Sequence, residues 1–128
     1  MNISISLQRE FVPEWNNNKE SEDPIVVVYK APTMNLRQQL IPNPKIVLKI
    51  SPNGKAEGGE TTIEVDNRKI IYGMLEEIKN LTLTVDGKEK EIRTANDLYS
   101  GPAFLGGLVD EIGAFFQKEL SKNVDVKN

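Results

Sequence analysis

Apolar and polar residues alternate at the start of the chain with the period of a β-strand. The segment NISISL at residues 2–7 carries an aliphatic side chain at every second position, which predicts a half-buried strand near residues 2–9 (Ile3, Ile5, Leu7). The run IVVVY at residues 25–29 is apolar throughout and is bounded by Pro24 and by the turn signal Ala31-Pro32. It predicts a second strand at residues 25–30 that is covered either on both faces or on one face and an end. The polar segment between them, residues 16–24, is rich in turn formers. We therefore expect the two strands to pair like a hairpin.

The next third of the chain predicts a short helix and a second hairpin. Thr33 is a suitable N-cap for a helix near residues 33–41, on which Leu36 and Leu40 share a face. Alternating apolar residues then predict strands at 45–50 (KIVLKI) and 61–65 (TTIEV). The intervening segment 51–60, rich in glycine and charge, is expected to be a mobile exposed loop.

A helical period appears at residues 66–80. Apolar residues recur there at spacings of one, three and four, and Asp66 is a suitable N-cap (Ile70, Ile71, Met74, Leu75, Ile78). LTLTV at 81–85 and KEKEIR at 88–93 predict two strands joined by the hairpin turn Asp86-Gly87. The charges of the second strand are typical of a sheet edge.

Two helices complete the expected domain. Thr94 and Asp97 indicate a capping box for a short helix near residues 95–99, which Gly101-Pro102 ends. A long apolar stripe predicts a final helix at about 103–121 (Phe104, Leu105, Leu108, Val109, Ile112, Phe115, Phe116, Leu120). The predicted fold is a small single α+β domain over residues 1–121, with antiparallel hairpins packed on the helices at 66–80 and 103–121, and a frayed tail at 122–128.

Composition narrows the chemistry. The chain of 128 residues has neither cysteine nor histidine, which removes thiolate chemistry, the commonest metal ligand and the commonest general base. Its net charge of −3 provides no general attraction to nucleic acid. No apolar run approaches the roughly 20 residues of a membrane span, and no leader pattern opens the chain. We expect a protein of the cytoplasm without metal or cofactor.

No catalytic motif stands out. Glu76 and Glu77 are adjacent on the predicted helix and diverge by about 100°, so a solvated face is favoured over a catalytic pair. The glycines of NGKAEGGE lack the spacing of a phosphate-binding loop. Asp86, Asp97 and Asp110 are isolated and are assigned to a turn, a cap and a solvent face. A hydrolase or transferase is accordingly disfavoured.

The phenylalanine-rich final helix admits two interpretations. Its stripe fits a hydrophobic core, but it is wide enough for one edge to stay exposed and to dock an apolar partner segment or a second copy of the chain. Glycines in FLGGLVDEIG lower its helix propensity and permit close backbone approach. The candidate docking residues lie along this helix (Phe104, Leu105, Leu108, Ile112, Phe115, Phe116).

Three short motifs carry a family resemblance over most of the chain. They are Pro13-Glu14-Trp15-Asn16 before a strand, Asn80-Leu81 followed by Asp86-Gly87 and Ile92, and a final Leu108-Val109-Asp110-Glu111-Ile112. In these features the chain resembles the small tail assembly chaperones of long-tailed bacteriophages. It departs from them at Asn18 and its neighbours, where a glycine often follows the Trp-Asn pair, and in the glycine-rich hairpin 44–65, which looks like a variable insertion.

The resemblance implies a non-enzymatic function. A chaperone of this kind covers apolar stretches of the tape-measure protein in the host cell cytoplasm until the tail tube protein polymerises around it, and is absent from the mature virion. Self-association into a homo-oligomer is compatible with this role. The alternative is a structural virion protein, a connector or a tail-tip ring subunit retained in the particle.

The single tryptophan has a structural interpretation. No convergent polar groups surround it in the sequence to recognise a ligand. We expect Phe11, Val12 and Trp15 to form an apolar lid against the sheet, held by the polar loop that leads into the strand at Ile25.

Overall fold

The valine run forms the middle strand of a three-stranded sheet. The computed structural model describes residues 1–40, 45–50, 56–62 and 66–121. In it β2 (Val26–Lys30) lies between β1 (Gln8–Phe11) and β5 (Leu75–Lys79), antiparallel to both. Three consecutive residues of β2 are buried, which confirms that both faces of this strand are covered (Val27, Val28, Tyr29). The predicted pairing of the first two strands is also confirmed.

The first strand begins later than predicted. Residues 2–7 were expected to be half-buried, but β1 starts at Gln8, and Ile3, Ile5 and Leu7 are 72%, 68% and 55% exposed. The reason lies in the partner strand. The Ala31 N–H donates to the Leu7 carbonyl at 2.6 Å, after which Pro32 has no N–H to donate and the chain turns into a helix.

The capped helix and the second hairpin are confirmed. In α1 (Met34–Leu40) the Thr33 hydroxyl accepts from the Leu36 N–H at 3.1 Å. Strands β3 (Lys45–Ile50) and β4 (Ala56–Thr62) pair antiparallel. The predicted loop at 51–60 is therefore too long, because its second half belongs to β4, and residues 63–65 lie outside the described part of the chain.

The helix predicted at 66–80 is only half a helix. Asp66 caps α2 (Asn67–Met74) as predicted, its carboxylate accepting from the Lys69 N–H at 3.1 Å, but the chain becomes extended at Leu75 and continues as β5. In the pairing with β2, Val27 lies opposite Ile78 and Tyr29 opposite Leu75, with a bulge between. Directly paired residues share a face, so the bulge turns Leu75 and Ile78 to the same side although they are three apart. Leu75 and Ile78, whose spacing of three residues suggested a helix, therefore lie on one face of a bulged strand.

The C-terminal half follows its prediction closely. Strands β6 (Thr82–Val85) and β7 (Lys88–Glu91) meet at Asp86-Gly87, whose φ values of 52° and 79° suit a type I′ turn. Thr94 and Asp97 form the capping box of α3 (Ala95–Ser100). The final helix is split into a 3-10 turn at Ala103–Leu105 and α4 (Gly106–Ser121). The tail predicted at 122–128 lies outside the described residues.

One core joins these elements. Helices α2 and α4 pack on each other and on the inner face of the sheet, so the predicted α+β class is confirmed. The largest fully buried side chains come from both helices, from β5 and from the residue that follows β7 (Phe116, Ile70, Ile71, Met74, Ile78, Ile92).

Candidate functional site

A tight turn after β1 presents the tryptophan. The 3-10 segment Trp15–Glu20 is interrupted by Asn16 and Asn17, with φ values of 55° and 56°. Asparagine tolerates this left-handed region better than most residues, and glycine tolerates it best. The asparagine at position 17 therefore adopts a conformation that a glycine at the same place would also adopt.

Asn18 fixes the far side of this turn. Its side chain is 5% exposed and makes three hydrogen bonds to the backbone. The amide donates to the Pro13 and Ile25 carbonyls at 2.9 and 3.0 Å, and the side-chain oxygen accepts from the Ile25 N–H at 2.6 Å. One side chain thus joins the start of the turn to the residue that precedes β2.

Glu111 fixes the near side from the other end of the chain. Its carboxylate accepts from the N–H groups of Glu14 and Trp15 at 2.7 and 2.9 Å. These donors would otherwise be unpaired at the start of the 3-10 segment. Two motifs that are 96 residues apart in the sequence are therefore in direct contact.

The indole lies over the beginning of α4 rather than on the sheet. A Cβ added at Gly107 would lie 3.1 Å from the Trp15 ring, so this close approach depends on the glycine. Phe104 meets the indole edge to face with 5.2 Å between ring centroids. Phe11 and Trp15 both pack on the core, as the predicted lid requires, although Trp15 does so at the start of α4 and Val12 is 37% exposed.

An open groove of about 420 Å³ lies beside this aromatic pair and is called the Trp15 groove here. Its apolar wall combines the two rings with three aliphatic side chains (Trp15, Phe104, Ile25, Leu81, Leu83). Glu20 and Asp23 are the charged residues of its lining. The groove therefore suits an apolar segment that carries a basic rather than an acidic side chain.

The six candidate docking residues differ in how much of their surface is exposed. Four are in the core, each at most 1% exposed, and are inaccessible to a partner in this fold (Leu105, Leu108, Ile112, Phe116). Phe115 is partly buried and stacks on Phe11 with 3.8 Å between ring centroids. Phe104 is 61% exposed. Only Phe104 of the six thus offers a large free surface, and its neighbours in the groove come from other elements.

The helical pattern could not identify those neighbours. Trp15 and Leu83 approach Phe104 only because the 3-10 turn and the β6–β7 hairpin fold onto the same end of α4. The close spacing of glycines in FLGGL was a usable signal, since Gly107 is where the indole packs.

The acidic residues have structural positions. Glu76 and Glu77 lie on β5 and not on a helix, and Glu77 pairs with Arg93, whose hydrogen bond lowers the pKa of that carboxyl. Backbone hydrogen bonds from Arg93 and Thr94 likewise hold the pKa of Asp97 below its usual range. Among the residues described, no three acidic side chains gather where they could hold a metal ion.

This chain was compared with protein families, curated proteins and solved structures. No family model, curated protein or solved structure matches the chain. Within the described ranges, no helix has both the length and the apolar character needed to cross a membrane.

The contact between Glu111 and the tryptophan turn can be tested with the single tryptophan as a reporter. Glu111→Ala removes an acceptor shared by two backbone N–H groups, so we expect the free energy of unfolding to fall by about 1–2 kcal/mol and Trp15 emission to shift to longer wavelength. Urea denaturation followed by fluorescence measures both. The control is Asp110→Ala at the exposed neighbouring position, which should change neither; an unchanged emission in Glu111→Ala would show that the carboxylate does not hold the turn.

Proposed function

We propose that this protein is a phage tail assembly chaperone that binds apolar segments of the tape-measure protein during tail morphogenesis, without catalysing a reaction. The observation that supports this most directly is the exposed Phe104 ring beside Trp15, on the apolar wall of an open groove whose other lining residues are polar. The motif residues of the resemblance add support, because Glu111 of the third motif holds the Trp15 turn of the first.

The size and charge of the groove suit reversible binding. A surface built around two aromatic side chains can anchor a partner without the area of an obligate interface. Temporary cover of an apolar chain requires such moderate affinity, since the tail tube protein must later displace the chaperone. The net charge of −3 also favours keeping chaperone-covered complexes apart in the host cytoplasm.

The test is co-purification of the full chain with overlapping segments of a tape-measure protein from the same phage genome. Phe104→Ser should lower the recovery of bound segments by about tenfold, because loss of one central aromatic anchor commonly removes 1–2 kcal/mol or more of binding free energy. The matched control is Met34→Ser, which removes a side chain that is 68% exposed on α1, away from the groove.

Two results would contradict the proposal in different ways. Equal recovery for Phe104→Ser and the unchanged protein would show that the Trp15 groove is not the docking site. Failure of every tape-measure segment to bind the unchanged protein would show that the protein is not a tape-measure chaperone.

A retained structural virion protein, either a connector or a tail-tip ring subunit, is the second candidate. It is favoured by apolar side chains at the N-terminus that face solvent in a single copy of the chain, as subunit contacts would (Met1, Ile3, Ile5, Leu7). Mass spectrometry of purified virions separates the two functions, because a chaperone is absent from the particle and a ring subunit is present in every particle.

A further inference from the structure

The first seven residues have the sequence pattern of a strand, but none of the described strands pairs with them. They are called the N-terminal arm here. Ile3, Ile5 and Leu7 alternate with polar residues, and all three are more than half exposed. The chain bends at Leu7, where the Ser6 carbonyl accepts from the Arg9 side chain, and the arm leaves the sheet. The last backbone contact to the neighbouring strand is the one between Leu7 and Ala31.

The arm also lacks the features that keep exposed strands from pairing. Edge strands are usually protected by charged side chains or proline. The β7 strand, KEKE, has charge at every position, and β1 carries Arg9 and Glu10. The arm, MNISISL, has no charged side chain and no proline. It is therefore the described segment best suited to pair with another strand.

We propose that the N-terminal arms of two copies of this chain pair antiparallel across a twofold axis and form a homodimer. Centring the pair on Ile5 places Ile3 of each copy opposite Leu7 of the other. All three aliphatic residues then lie on one face, because directly opposite residues share a face of the sheet. Since the arm has no charged side chains, pairing it with itself brings no like side-chain charges together.

A groove at the base of the arm favours a second copy as the occupant. This groove, of about 340 Å³, includes Leu7 itself and exposes mainly apolar surface. Four of its eight lining residues are non-polar and four are polar or charged (Leu7, Ala31, Leu36, Gly73; Lys30, Thr33, Asn35, Gln39). In the register centred on Ile5, Ile3 of the second copy reaches Leu7 and so arrives at the mouth of this groove. The same contact is repeated at the other end by symmetry, as a twofold interface requires.

The contact is small for a protein–protein interface. Burying the four apolar side chains of one arm removes on the order of 300–400 Å² of apolar surface from water. That is about half of the roughly 800 Å² that each partner contributes to a standard interface, with the backbone ladder and groove walls adding to it. We therefore expect a dimer with a Kd of about micromolar magnitude.

Sedimentation of the full chain tests the association. The unchanged protein should pass from monomer to dimer between about 1 and 200 μM. Ile5→Lys and Ile5→Glu should each be monomeric over that range, because each places like charges opposite one another, whereas an equimolar mixture of the two should recover the dimer. Val85→Lys, at an exposed apolar position on β6 outside the groove, should dimerise like the unchanged protein.

Disulfide trapping tests the register, and the absence of natural cysteine makes it unambiguous. Ile5→Cys should cross-link into dimers on mild oxidation at low concentration, since directly opposite Cβ atoms in a non-hydrogen-bonded pair are close enough for a disulfide. Val85→Cys, outside the groove, should not cross-link. A monomeric unchanged protein at 200 μM, or a dimer that persists in Ile5→Lys, would overturn the proposal.

Discussion

Phe116→Ala is expected to lower the free energy of unfolding by about 3–5 kcal/mol, the usual cost of removing a large aromatic side chain from a packed core. The ring has no exposed surface and contacts Tyr29 and Phe11 with centroid distances of 5.2 and 6.2 Å. It therefore joins α4 to both strands of the first hairpin. Urea denaturation followed by far-UV circular dichroism measures the loss, which is comparable to the whole stability of many domains of this size.

The adjacent Phe115→Ala provides the matched comparison. Its ring is only partly buried and stacks on Phe11, so we expect a smaller loss of about 1–2 kcal/mol. Similar losses for the two variants would contradict the orientation of α4 described above. The comparison also shows why Phe104, and not Phe116, is the position at which docking can be tested without damage to the fold.

Asn18→Ala is the second substitution with a large expected effect, a loss of about 2–4 kcal/mol in the free energy of unfolding. The change removes three hydrogen bonds and leaves the carbonyls of Pro13 and Ile25 and the Ile25 N–H without their partner. Buried backbone groups that lose their partners retain the full cost of desolvation. Urea denaturation gives the loss in stability, and Trp15 emission reports whether the turn has opened.

Two control variants show whether the cause is hydrogen bonding or the turn itself. Asn18→Asp keeps the acceptor for the Ile25 N–H but places carboxylate oxygens against two carbonyls, so it should be at least as destabilising as alanine. Asn17→Gly should be tolerated, because the native φ of 56° suits glycine. A stable Asn18→Asp variant would mean that the two carbonyls do not depend on this side chain.

Local chemistry was sufficient to predict most of the elements. Thr33, Asp66 and Thr94 each cap a helix as their side chains and positions predicted, and Asp86-Gly87 forms the expected hairpin turn. These features depend on contacts between residues a few positions apart, which a sequence displays directly. The class of fold follows from them, because the number and type of elements leave few ways to bury their apolar faces.

The predictions failed where a distant strand decided the conformation. Residues 75–79 have an acceptable helical pattern, but β2 has an open edge that they fill, and a bulge lets Leu75 and Ile78 face the same side. Residues 2–7 have the pattern of a strand, yet β2 ends at Lys30, opposite Gln8, and beyond it only the Ala31 N–H reaches back to Leu7. In both cases the outcome depends on whether a hydrogen-bonding neighbour is available, which periodicity does not encode.

The sequence by itself determined the fold class of this protein, its helix caps, its hairpin turn at Asp86-Gly87 and the absence of cysteine and histidine chemistry. Only the tertiary structure decided which apolar residues are free. Phe104 and Phe116 belong to one continuous stripe in the sequence, but Phe116 is buried against the sheet while Phe104 lies in the 3-10 turn before α4, beside Trp15. The physical reason is that a stripe wider than the surface it packs against leaves part of itself exposed, and the shape of that surface comes from elements far away in the chain.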